Sequence, residues 1–184
     1  MRCVVFVQGC RLNCPGCWNS WSHGFHGTDL AIEAVLAELV NCHQQYSVDG
    51  LTFSGGEPMQ QAEDLANLLQ CLRSALPTLS FGLFTGYSEK ELEAGRYFTR
   101  HGIDRDRRQA LWRSIRGRLD FAVMGRYDRF QPSDAPMRTS ANQALRLFSS
   151  RYSESDFGVQ TVEITISPDG LTRTTGFPTL GNPA

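Results

Sequence analysis

The chain has 184 residues, an apolar fraction of 41%, and 18 basic against 19 acidic side chains for a formal net charge of −1. That is enough chain to bury a core within one domain, and the even mixture of charges excludes the basic footprint of a nucleic-acid or anionic-membrane binder. The opening residues lack the pattern of a secretory leader and no apolar run approaches a membrane span, so the expected compartment is the cytoplasm, where thiols stay reduced.

Residues 3–8, Cys-Val-Val-Phe-Val-Gln, are β-branched or aromatic without a breaker and predict a strand buried on both faces, ended by Gly9. An aromatic-rich loop follows with Trp18, Trp21, His23, Phe25 and His26. Thr28-Asp29 can cap a helix whose apolar residues Ile32, Val35, Leu36, Leu39 and Val40 share one face. Residues 50–54 read as a second strand, then Gly55-Gly56-Glu57-Pro58, then a helix striped with Leu65, Leu68, Leu69, Leu72 and Leu76.

Ser80–Thr85 is a third strand, and Ser88-Glu-Lys-Glu91 has the capping-box pattern of a short helix. A charged helix over 104–116 and a fourth strand over 120–124 come next. Residues 125–150 are irregular, with a short helix expected from Asn142 to Phe148. Val159–Ile166 alternates, Ser-Pro-Asp-Gly turns, and Leu171–Thr175 can return as a hairpin partner. The expected fold class is α/β: a single domain over 1–184, its core about 2–150 a mostly parallel sheet with helices outside, extended by a C-terminal β-hairpin over about 155–184. The strands are too few to close an eight-stranded barrel.

Three of the six cysteines, Cys10, Cys14 and Cys17, fall within eight positions directly after the first strand. Spaced x3 and then x2, with Pro15-Gly16 turning the backbone, they can point at one centre, a metal ion or an iron–sulfur cluster. With His23 or His26 they also make a Cys3His zinc set and a zinc-stabilised binding module. Three thiolates leave one iron of a cubane open. Gly55-Gly56 and Glu57 fall at the same sheet edge, where ligands of parallel sheets bind. There the double glycine admits a close backbone approach and Glu57 is an acceptor, although a tight turn with Pro58 at the first helical position needs the same residues. Cys3, Cys42 and Cys71 read as small core hydrophobes.

Cys-x3-Cys-x2-Cys after the first strand with Gly-Gly-Glu-Pro after the second resembles the radical S-adenosylmethionine (SAM) enzymes. Over about residues 2–145, six blocks match in order the activating enzymes of glycyl radical enzymes, most of all the anaerobic ribonucleotide reductase branch. They are Arg2–Cys10, Cys14–Asn19, Gly50–Pro58, Phe84–Tyr87, Gly125–Tyr127 and Ser140–Gln143. The resemblance implies an incomplete βα barrel in which Cys10, Cys14 and Cys17 hold a 4Fe-4S cluster and SAM chelates its open iron. It places Gly55, Gly56 and Glu57 on the amino end of SAM, Gly16 and Trp18 along the cofactor, and Arg126 at its carboxylate.

The chemistry implied is reductive cleavage of SAM to a 5′-deoxyadenosyl radical that abstracts hydrogen from a glycyl radical enzyme, with flavodoxin or ferredoxin as electron donor and no protein base required. A radical SAM enzyme acting on a small molecule or peptide is the rival reading. On this reading a Gly56→Val change blocks SAM but spares the cluster. Two departures stand out. Relatives carry Asp-Gly-Pro-Gly before the residue matching Arg2, whereas this chain opens at Met1, so a late start or a trimmed amino-terminal edge is expected; and Met124 stands where many have Asp. An open cluster mouth flanked by Trp18, Trp21 and residues 125–150 is expected, since the chain is short for a lid.

Overall fold

A computed structural model describes residues 1–158, 163–166 and 172–175. Strand β1 (Arg2–Val7) runs parallel to β2 (Gly50–Gly55), β2 to β3 (Ser80–Thr85) and β3 to β4 (Phe121–Met124), while β5 (Ala144–Leu147) ends the row antiparallel to β4. Helices α1 (Ile32–Tyr46), α2 (Ala62–Ala75), α3 (Glu89–Glu93) and α4 (Arg105–Arg116) fall between the parallel strands. The fold is therefore α/β with a five-stranded, mostly parallel sheet. Among the described residues no helix is long and apolar enough to cross a membrane.

Side chains alternate across the sheet. One set, Leu51, Phe53, Phe81, Leu83, Ala122 and Met124, is buried in the same apolar core as Leu65, Leu69 and Leu72 of α2 and Leu111, Trp112 and Ile115 of α4. The stripe on α2 does what its spacing predicts. Burying one such leucine is worth roughly 1.5–3 kcal/mol, which is why the helices seat on this face.

On the opposite face the Arg2 guanidinium donates to Thr52 Oγ1 (3.0 Å), the Leu51 carbonyl (2.7 Å), Tyr152 Oη (3.0 Å) and Ser80 Oγ, and lies 5.0 Å from the Phe121 ring centroid. Phe121 is stacked edge-on by Tyr152 and Phe157. This cluster plugs the face at the end where β1 begins, leaving the opposite edge, where the parallel strands end, for the loops that carry the motifs.

Three expectations change. β1 is an edge strand, not one buried on both faces: Val4 and Phe6 are 47% and 51% exposed, while Cys3 and Val5 pack against the core. An apolar run records hydrophobicity but not strand order. Residues 144–147 form β5 rather than a helix, because Ala-Leu-Arg-Leu pairs along the otherwise open edge of β4. Helix α1 starts at Ile32 with Ala31 as its uncapped N-cap, and Asp29 instead forms a bidentate pair with Arg100.

At the C-terminal end, β6 (Glu163–Ile166) and β7 (Thr172–Thr175) pair antiparallel as a sheet of their own. The Ser167-Pro-Asp-Gly170 turn and the last nine positions lie outside the described residues.

Candidate active site

The site begins where β1 ends. Gly9, at φ +105°, turns the chain into the cysteine loop, and its N–H and that of Cys10 donate to the Ser22 (2.8 Å) and His23 (2.9 Å) carbonyls. The Cys17 N–H closes onto the Cys14 carbonyl at 3.1 Å around Pro15-Gly16, with Gly16 at φ +76°. That positive φ is the one a proline–glycine turn of this type requires.

The same loop is laced to the next one. Gly56 N–H donates to the Val7 carbonyl and Glu57 N–H to the Gly9 carbonyl, both at 2.8 Å. A Cβ on Gly55 would stand 2.6 Å from Val7 N, and one on Gly56 only 2.4 Å from Gly9 O. Both glycines are thus demanded by the chain's own backbone, before any ligand is considered.

All three thiols are partly buried. Burial pushes Cys10 and Cys14 up, against hydrogen bonds from the Leu12 and Asn13 N–H groups to Cys10 and from the Tyr127 N–H to Cys14, and Cys14 is also lowered by the charge of Arg126. Backbone N–H groups aimed at sulfur are what a cluster-bound thiolate needs, and iron would displace the thiol protons. Three thiolates within one short loop are the donor set that a 4Fe-4S cluster would take with one iron left open. The donor set fits the cluster. Cys3, by contrast, is pushed up to about 11 by burial and hydrogen-bonds Cys42, on the core side of β1.

Glu57 is 1% exposed, and its carboxylate is occupied by its own chain. It accepts from Met59 N (2.9 Å) and Thr85 Oγ1 (2.7 Å) on one oxygen and from Gly86 N (2.7 Å) on the other. Burial pushes its pKa up to about 7 even though these three donors pull it down. It therefore ties the β2 loop to the β3 loop. The Gly56 carbonyl, in contrast, accepts no hydrogen bond among the described residues.

Arg126 lies beyond β4, after Gly125 at φ +123°. Its backbone carbonyl accepts from Asn142 Nδ2 (2.9 Å) and that of Gly125 from Gln143 Nε2 (3.1 Å), so the Ser140-Ala-Asn-Gln143 block holds this turn. Residues 127–129 lie over the cysteine turn: a Cβ on Gly16 would come 3.2 Å from Arg129 Cδ. Trp18 is half exposed and Trp21 sits 6.2 Å from the Phe6 ring on the uncovered face of β1.

One positioning residue had no sequence signal. Gln60 is fully buried; its Oε1 accepts from Arg11 N (3.0 Å) inside the cysteine loop and its Nε2 donates to Tyr87 Oη (3.0 Å). Arg11 in turn stacks 4.2 Å over Phe98. The loop carrying the thiols is thereby fixed to β2, β3 and the segment before α4. A cavity of about 520 Å3 lies on the other side of β1, lined by Val5, Phe25, Leu30, Phe53, Leu65 and Arg100 among others and by none of the three cysteines.

Residues 1–146 match the family model described as a 4Fe-4S single cluster domain. The chain is 28% identical over 149 residues to the anaerobic ribonucleoside-triphosphate reductase-activating protein of Enterobacteria phage T4, covering 78% of this chain and 82% of that protein. It is 32% identical over 154 residues to the protein of that name from Vibrio cholerae, covering 80% and 88%. Against the Escherichia coli K12 protein it is 31% identical over 97 residues, half of this chain and 63% of that one. No solved structure matches. The chain belongs to the 4Fe-4S single cluster domain family and, within it, to the anaerobic ribonucleoside-triphosphate reductase-activating proteins.

Proposed function

We propose that this protein is a radical SAM activating enzyme that binds a 4Fe-4S cluster and SAM and installs a glycyl radical on an anaerobic ribonucleoside-triphosphate reductase. The observation that carries the reading is the lacing of the Cys10–Cys17 loop to Gly55-Gly56-Glu57 at the strand ends of the sheet. Cys10, Cys14 and Cys17 would hold the cluster through three thiolates, and SAM would meet it beside Gly55-Gly56. The chemistry that a bound cluster would supply is one-electron reduction of SAM, which would provide the oxidising equivalent for hydrogen abstraction from the glycine of the partner.

The chain's own part is to bind, orient and present. The Gly56 carbonyl is an acceptor for the ammonium of SAM, and Glu57 serves by holding that loop against Thr85 and Gly86. Arg126 is a donor for the carboxylate, and Gly16 and Trp18 border the cofactor. The sheet forms an incomplete βα barrel within a single domain, core about 2–150, and β6 and β7 belong to a C-terminal hairpin extension. A cytoplasmic location and a flavodoxin or ferredoxin donor complete the proposal.

A protein substrate is favoured over a small molecule by the exposed apolar rim: Trp18 is 48%, Trp21 65% and Phe130 76% exposed, and Phe130 adjoins Arg129 over the Pro15-Gly16 turn. An enzyme for a small molecule normally encloses it. The test is anaerobic reconstitution, reduction, and incubation with SAM and the reductase, read by electron paramagnetic resonance. A glycyl doublet is expected with the wild type and none with Cys14→Ala, which should also fall well short of about four irons per chain. Accumulation of 5′-deoxyadenosine only with an added small molecule or peptide, and no protein radical, would refute the activase reading.

A further inference from the structure

Arg126 does not stand alone at the mouth. Its Nη1 and Nη2 donate to Glu91 Oε2 (2.8 Å) and Oε1 (2.9 Å), a two-point fork across 35 residues of sequence. Its guanidinium lies 5.5 Å from the Tyr87 ring centroid, and its charge acts on Cys14. A fork through both terminal nitrogens leaves Nε–H and the outward N–H groups, and these have no partner among the described residues.

Glu91 is itself held. Its Oε2 also accepts from Ser88 N (2.9 Å) and Ser88 Oγ (2.8 Å) in the capping box of α3. A glutamine would satisfy the cap equally well, since that motif tolerates either residue. The fork to a guanidinium is what asks for a carboxylate. The Arg126 fork, first among its partners, holds the Glu91 carboxyl at about 2, so it stays ionised throughout the working range.

We infer that Glu91 is a positioning residue for the reaction: it presets the Arg126 guanidinium so that the free edge of that group receives the carboxylate of SAM. This rests on the reading of Arg126 given above. A flexible arginine would lose rotamer freedom on binding a carboxylate; the fork to Glu91 removes that cost beforehand. Tyr87, its hydroxyl pinned by Gln60 Nε2 and the Phe98 N–H (3.1 Å), limits where the guanidinium can move.

The test compares dissociation constants of the reconstituted protein for SAM and for decarboxylated SAM, which keeps the sulfonium and adenosine but lacks the carboxylate. Glu91→Gln should weaken SAM roughly tenfold and leave the decarboxylated compound within about twofold of wild type. Arg126→Ala should weaken SAM at least as much. Ser88→Ala removes the hydroxyl part of the cap but keeps the backbone bond and the fork, and should leave SAM affinity unchanged. Iron content and the perturbation of the reduced cluster's paramagnetic spectrum by SAM are read in parallel. If Glu91→Gln fails to load iron, Glu91→Asp, which keeps the charge but shortens the reach, carries the same comparison.

Wild-type SAM affinity in Glu91→Gln alongside weakened binding in Arg126→Ala would overturn the role of Glu91 and leave Arg126 intact. Unweakened binding in both would overturn the reading of Arg126 as well. Equal losses for the two ligands, or the same loss in Ser88→Ala, would make Glu91 a structural cap only.

Discussion

Valine at position 56 is expected to cost the protein its iron as well as its SAM binding. A Cβ there would meet Gly9 O at 2.4 Å, Gly9 C at 2.8 Å and Gly9 N at 2.9 Å, all backbone atoms, so no side chain can swing aside. Gly9 is the residue before Cys10 and already stands at φ +105°. Relief must come from moving the start of the cysteine loop, which also breaks the Glu57 N–H to Gly9 O bond and loosens the Ser22 and His23 contacts. Iron per chain should fall from about four to below about one after anaerobic reconstitution, with SAM binding lost in proportion. The double-glycine motif taken alone predicts a milder outcome, a full cluster without SAM. If Gly56→Val retains full iron, the loop is more pliant than its backbone contacts imply, and the glycine serves ligand approach alone.

The difference between those two outcomes shows what local sequence can carry. The Pro15-Gly16 turn, the α2 stripe and the Ser88–Glu91 capping box all lie within one element or one loop, and each is found where its spacing predicts. Contacts between distant residues are different. That Gly56 packs on Gly9, that Glu57 is consumed by Thr85 and Gly86, and that Gln60 holds Arg11 depend on strand order, which no local pattern encodes. The edge position of β1 and the pairing of β5 were hidden for the same reason. A four-residue segment such as Ala-Leu-Arg-Leu is too short to separate helix from strand by period, and only the open edge of β4 decides it. The 4Fe-4S family and the reductase-activating branch were legible from motif order, while the hand that steadies Arg126 was not.

Asp120→Ala is expected to be strongly destabilising although it lies away from the site. Asp120 opens β4 at 4% exposure and accepts from Phe81 N (2.8 Å), Arg73 Nη2 (2.8 Å) and Ser149 Oγ (2.7 Å). It thus joins β3, α2 and the segment after β5 at the base of the strand that leads to Gly125 and Arg126. Arg73 stacks 4.2 Å from the Phe81 ring centroid and also donates to the Leu79 and Arg118 carbonyls, so it cannot easily swing to solvent when its carboxylate is removed. Removing one partner of such a buried pair costs about 3–5 kcal/mol, which for a domain of this size lowers the unfolding midpoint by roughly 10 °C. Burial alone would push the Asp120 carboxyl up, but the bonds from Ser149, Phe81 and Arg73 outweigh it and the net shift is downward. A carboxyl with a depressed folded pKa contributes stability that is fully present above its unfolded value and is lost as pH falls through the folded one. Denaturant unfolding of wild type and variant should therefore show a constant gap around neutral pH that narrows only below the ordinary carboxylate range. A gap under about 1 kcal/mol at pH 7 would mean that Arg73 and Phe81 find other partners, and the anchoring of β4 would then rest on its apolar residues.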